Sequence, residues 1–163
     1  MITVGCGMIM KDCEDTLGVC LESIKGLFDV TVAVDTGSTD ASMDIARSYG
    51  VHVIQHPWVY DFSVVRNVAF DALNTTYKFW LDGDDVLTGQ EHFEEMVSKC
   101  DSMGLDGIIL EYMYSLDAIG QKLLAQLEPQ ILARQLPIGH ITSQLMKYCN
   151  TTQYRERLIK NIP

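Results

Sequence analysis

The chain has 163 residues, 47% hydrophobic and 21% charged, which is the length of one domain and enough to bury a core. Its formal net charge is −10, from 12 Lys and Arg against 22 Asp and Glu, which argues against nucleic acid or an anionic bilayer as the main partner, since both are held by basic surfaces. Five scattered cysteines without a Cys-x-x-Cys pair exclude an evident disulfide framework or zinc site, and no apolar run has the length to cross a bilayer; with no basic leader in MITVGCGMIM, the expectation is a cytoplasmic protein.

Residues 2–10 are an apolar, β-branched run, predicted as the first strand. After the polar KDCED, Leu17, Cys20, Leu21, Ile24 and Phe28 recur at helical spacing. VTVAVD (30–35) is the second strand, with Ser38 or Thr39 capping a helix that runs to Tyr49 and Gly50 ending it. VHVIQ (51–55) is the third strand. FSVVRNVAFDAL (62–73), with Val65, Val68, Ala69 and Ala72 on one face, is the third helix. KFWLD (78–82), the helical GQEHFEEMVSKCDSMG (89–104) and the strand GIILEYMY (107–114) follow. The last third is less regular. Residues 118–136 fit an amphipathic helix interrupted at Pro129, residues 137–153 have no clear period, and YRERLIKN (154–161) reads as a strand carrying basic side chains.

Strand and helix alternate at short intervals, and the strands are apolar on both faces. The fold class is therefore α/β, a mostly parallel sheet with helices on both faces. Such sheets bind ligands at the carboxyl ends of their strands, where Asp35 and Asp82 both fall. The organisation expected is a core over 1–117 and an atypical C-terminal segment of the same domain over 118–163.

VDTGSTDAS (34–42) resembles the catalytic segment of an aspartic protease at first sight. That chemistry needs two facing Asp-Thr-Gly segments sharing a proton, and this chain has one, leading into a helix. Asp35, with nothing local to cap, is instead placed as a carboxylate that accepts from a base N–H or a ribose hydroxyl. Asp40 is assigned to the first turn of the next helix, where the helix dipole gives it a structural role.

In FWLDGDDVL (79–87), alternation puts Asp82 and Asp84 on one side and Asp85 on the other. Gly83 between them allows a tight turn and close approach of a ligand. Two like charges side by side repel, and a hard cation such as Mg²⁺ or Mn²⁺ relieves this, taking one or two carboxylates plus phosphates. The plain alternative is an acidic turn after a strand. Arg66, in DFSVVRN (61–67), suits a phosphate or a base edge, or a salt bridge to one of the many acids.

Together, MIMKDCEDTLGVCLESIKG (8–26), VDTGSTDAS, DFSVVRN and WLDGDDVL (80–87) resemble the nucleotide-binding half of a family 2 glycosyltransferase of the GT-A fold, most densely over residues 1–90. The resemblance implies a nucleotide diphosphate sugar as donor, UDP-sugar favoured, with Mn²⁺ or Mg²⁺ as cofactor and inversion at the anomeric carbon. It implies that Asp35, Asp12, Arg66, Asp82 and Gly83 bind the donor, and that Asp84, with Asp82, holds the metal. Relatives usually carry Lys-Asn-Glu after the first strand; here Lys11-Asp12-Cys13-Glu14 puts Cys13 where Glu is expected. They also continue beyond a segment like YRERLIKN into a region that helps form the acceptor site, whereas this sequence stops at Pro163. The acceptor is unassigned, and a homo-oligomer or a partner completing that side is an open expectation. Glu111 is the first candidate for the base and Asp117 the second, ahead of His140 and Glu156; Arg155 and Arg157 are candidates to reach the diphosphate, with a solvated surface as the plain alternative. Two other classes stay open: an inactive binding module of the same fold, and a nucleotidyltransferase, which usually has a Gly-rich phosphate loop that MIMKDCED lacks.

Overall fold

Val4–Met10 forms β1, and every one of its residues is buried, which requires cover on both faces. The structure is a computed structural model describing residues 1–112 and 153–160. β1 pairs in parallel with β2 (Val30–Asp35) on one side and with β4 (Tyr77–Asp82) on the other. β2 pairs in parallel with β3 (His52–Gln55). β6 (Gln153–Lys160) runs antiparallel to β4, with Lys160 opposite Tyr77 and Leu158 opposite Phe79. The helices are α1 (Glu14–Ser23), α2 (Ser42–Ser48), α3 (Phe62–Asp71) and α4 (Phe93–Ser102), and β5 (Gly107–Tyr112) follows the last of them.

The alternation of side chains along β1 divides the core in two. Ile9 faces α3, in a cluster with Val32, Val34, Val65, Ala69 and Leu73. Gly7 shares that face, and a Cβ there would come within 3.2 Å of Ala69 Cβ and 3.1 Å of the Phe70 ring, so the missing side chain is what lets α3 lie close. On the opposite face Phe79, in register with Cys6, packs at 5.3 Å from Phe28 and 6.0 Å from Phe93 of α4. A fully buried ring or aliphatic side chain of this kind contributes about 1.5–3 kcal/mol, so the two layers fix where each strand ends.

Several boundaries differ from expectation. α2 starts at Ser42, its N-cap is Ala41, and no side chain caps it, so neither Ser38 nor Thr39 does so. The chain leaves α2 through Gly50 at φ +77°, as expected of its terminator. The helix expected from residue 89 begins as a short 3₁₀ turn, Gln90–His92, before α4. The helix expected at 118–136 and the segment 137–152 lie outside the described residues. The chain divides into two compact units, Met1–Ile108 with Glu156–Pro163, and Ile109–Arg155. Among the described residues no helix is long and apolar enough to cross a membrane.

Candidate functional site

β4 ends at Asp82, and the turn after it is held by its own side chain. Asp85 is 6% exposed; its Oδ2 accepts from the Asp82 backbone N–H at 2.9 Å, and its own N–H donates to the Asp82 carbonyl at 3.0 Å. With Asp85 committed to the turn, Asp82 and Asp84 line a cleft of about 490 Å³ at the carboxyl ends of β1 and β4. Asp12, Cys13 and Gly83 also line it, and Phe62 enters from the first turn of α3. That helix start is fixed by Asp61, whose Oδ1 accepts from Ser63 N–H at 2.8 Å and Ser63 Oγ at 2.6 Å; the Ser63 bonds hold its carboxyl below the ordinary range.

Arg66 stands one turn further along α3. Its Nη2 lies 3.7 Å from Asp82 Oδ1, and its guanidinium carbon lies 3.9 Å from the centre of the Trp80 ring. Both partners of the ion pair are about a third exposed or less, so screening is partial and Arg66 offsets much of the Asp82 charge. Asp84 is exposed to solvent.

Gly83 owes its lack of a side chain to the protein. A Cβ there would fall 2.9 Å from Cys13 Sγ, with Met10 Cβ at 3.4 Å and Ile9 O at 3.6 Å. The direction a side chain would take is filled by Cys13, while the backbone of this glycine lines the cleft. Gly83 N–H donates to Ile9 O at 3.2 Å, and Thr16 Oγ1 donates to Gly83 O at 3.3 Å, so the turn is tied to both β1 and α1. Burial pushes the Cys13 thiol up, against a smaller lowering by its hydrogen bond with Ser42.

Residues 12–14 and 38–42 exchange hydrogen bonds in both directions. Asp12 N–H donates to Ser38 Oγ at 2.9 Å, and Thr39 N–H donates to Asp12 Oδ1 at 2.7 Å. Cys13 N–H donates to Ser42 Oγ at 2.8 Å. Glu14 N–H donates to Asp40 Oδ2 at 3.0 Å, while Ala41 N–H donates to Glu14 Oε2 at 2.9 Å. These bonds explain why α2 begins late: its presumed capping residues serve the other loop. Asp12 takes part at φ +44°, a left-handed conformation in which a non-glycine residue is strained. Asp40 lies ahead of α2, outside its first turn, and its Oδ1 accepts from Ser42 N–H at 3.0 Å.

Asp35 has the local partners that its sequence context seemed to lack. It is 1% exposed, its Oδ2 accepts from Gly37 N–H at 3.1 Å, and both its oxygens lie 3.2 Å from Ser38 N–H. It closes the turn after β2 and does not line the cleft. The structure thus brings Asp12, Asp82, Gly83 and Asp84 around one cleft, attaches Arg66 through Asp82, and sets Asp35 behind the 36–39 turn. Glu111 occupies a position in β5 and Glu156 one in β6; Asp117 and His140 fall outside the described residues. The contributions of Trp80, Asp85 and Ser42 escaped sequence reasoning; only Asp85 had a sequence signal, being the acid three residues after a strand end.

Among the described residues no three His, Cys, Asp or Glu side chains are grouped to hold an ion unaided. Two carboxylates facing one open cleft do fit Mg²⁺ or Mn²⁺, which fill their shells with phosphate oxygens and water.

The family model described as Glycosyl transferase family 2 matches residues 6–158. A TPR repeat-containing protein of Synechococcus elongatus is 35% identical over 101 residues, which are 62% of this chain and 25% of that protein. The SPbeta prophage-derived glycosyltransferase SunS of Bacillus subtilis is 28% identical over 86 residues, 52% of this chain and 20% of that one. Among solved structures, S. aureus TarS 1–349 has a TM-score of 0.58 at 22% identity, covering 64% of this chain and 34% of that one, and it has also been solved in complex with UDP. The chain spans about a quarter or less of the length of these curated relatives, and the likeness to TarS shows a shared fold.

Proposed function

Since the chain belongs to glycosyl transferase family 2 and has its α/β fold, we propose that it is the donor-binding part of a glycosyltransferase that moves a sugar from a nucleoside diphosphate sugar. The observation that carries this reading is the cleft at the strand ends, where Asp82 and Asp84 face the same solvent-filled space while Asp85 is held in the turn.

In this reading Asp84, with Asp82, holds Mn²⁺ or Mg²⁺, which when bound neutralises charge on the departing diphosphate. Arg66 supplies fixed positive charge beside Asp82, Asp12 positions the 38–42 loop from the cleft wall, and Gly83 with Cys13 forms its floor. Asp35 shapes the 36–39 turn and keeps lone pairs beyond its two N–H bonds, so direct contact with a base or ribose requires only that the turn uncover it. UDP-sugar is the favoured donor, in keeping with the UDP complex of TarS. Inversion at the anomeric carbon requires a base on the acceptor side, for which Glu111 is the first candidate and Asp117 the second.

A thermal-shift and hydrolysis screen of UDP-, GDP- and TDP-sugars, with and without Mn²⁺, tests the reading. At ligand concentrations about a hundredfold above Kd, binding adds about 2.7 kcal/mol, or roughly 5–10 °C for a chain of this size. Asp84→Asn should lose the Mn²⁺-dependent part. No stabilisation by any nucleotide, or an unaltered response in Asp84→Asn, rejects the assignment. Stabilisation without transfer or hydrolysis identifies a binding module, a second reading that the chain's coverage of only a quarter or less of its relatives keeps in view.

A further inference from the structure

We propose that Trp80 is a positioning residue for donor binding, its indole face holding the Arg66 guanidinium ready for an anionic diphosphate; the proposal rests on the donor-site reading above. The guanidinium carbon is 3.9 Å from the ring centre, whereas the approach to Asp82 is 3.7 Å, beyond the 2.7–2.9 Å of a direct charge-assisted hydrogen bond. Asp82 therefore attracts Arg66 without a direct hydrogen bond, and the indole gives the guanidinium a flat face to rest on. Trp80 can do this because it lies two residues before Asp82 on β4, and the Arg66 side chain reaches it from α3, which packs over the neighbouring β1 and β2. The Arg66 side chain is 27% exposed, so the stack is partly desolvated and stronger than at a free surface.

An arginine otherwise loses much of its rotamer freedom when it grips a phosphate, and a stacked guanidinium has lost it beforehand. The benefit appears in binding. Trp80→Leu should weaken UDP–Mn²⁺ affinity by about three- to thirty-fold, raise KM for the donor and leave kcat nearly unchanged, while Trp80→Phe, which keeps an aromatic face, should stay within about threefold of the parent.

The experiment measures UDP binding by calorimetry, with Mn²⁺, for the parent, Trp80→Leu and Trp80→Phe. Emission is then recorded in a Trp58→Phe background, where Trp80 is the remaining indole. Arg66→Met in that background should shift the resting emission of Trp80, and UDP–Mn²⁺ should shift it when Arg66 is present. If the parent binds UDP but Trp80→Leu binds it equally well, the positioning role is overturned and the donor site stands. If the parent binds no nucleotide diphosphate, the donor site falls and the inference with it. Should Trp80→Leu fail to fold, the emission comparison decides: identical spectra with and without Arg66 overturn the stack.

Discussion

Gly83→Ala tests whether the space at this glycine belongs to the protein or to a ligand. The added Cβ would meet Cys13 Sγ at 2.9 Å, closer than real Cβ contacts come, while Met10 Cβ at 3.4 Å and Ile9 O at 3.6 Å are ordinary neighbours. The Cys13 backbone is held at the start of α1, its N–H bonded to Ser42 Oγ at 2.8 Å, and its Sγ accepts from Ser42 Oγ at 3.7 Å, so the sulfur withdraws only by giving up that contact. Overpacking of this kind costs about 1–3 kcal/mol, which for a chain of this size lowers Tm by roughly 2–12 °C. In a Cys13→Ala background the sulfur is gone and the same substitution should cost less than about 0.5 kcal/mol. The assay is a double-mutant cycle by thermal or urea unfolding, with a coupling of about 1–2 kcal/mol expected. Equal cost in both backgrounds refutes the reasoning and points to the backbone conformation at Gly83. A double mutant of parental stability that no longer binds nucleotide would show that the ligand also needs the space.

Three further outcomes follow from the same geometry. Asp85→Ala should cost about 1.5–3 kcal/mol by leaving the Asp82 N–H without the carboxylate it donates to, whereas Asp84→Ala, at an exposed position, should leave Tm within a degree or two and abolish the Mn²⁺ response. Asp40 titrates below its ordinary value of 3.8, chiefly through its hydrogen bond with Ser42, so its contribution to stability is present above that pH and is lost as pH falls below it. The Tm gap between parent and Asp40→Ala should accordingly be open at pH 7 and close in stronger acid. Burial raises the Cys13 thiol above its ordinary 9.0, so iodoacetamide at pH 8 should label it more slowly than an unperturbed thiol, as read by mass spectrometry of the modified peptide, although it lines the cleft.

What could be read from the sequence and what could not divide along the distance over which a residue acts. The strands were legible because β1 and β2 are largely apolar and β4 alternates, and their ends placed Asp82 and Asp84 at the carboxyl-end edge of the sheet. Gly50 announced its turn through its own backbone preference. The misreadings all concern polar side chains with more than one way to be satisfied. Ser38, Thr39 and Asp40 look like cap residues, and the rules for caps consider only neighbours within one turn. Their partners are Asp12 and Glu14, 26 or 27 residues away, and those bonds displace the helix start to Ser42. Asp35 is the reverse case. An aspartate followed two residues later by glycine is a known turn-closing pattern, so its local role was legible beside the ligand-binding role that the resemblance implies. The Arg66–Trp80 stack lay beyond sequence reading altogether, because it depends on where α3, packed over β1 and β2, leaves Arg66 relative to the neighbouring β4. A carboxylate motif therefore marks a strand end, while how exposed each carboxylate is depends on the backbone N–H groups around it. Asp85 and Asp35 are buried and accept from such groups, and Asp84 is left exposed in the cleft.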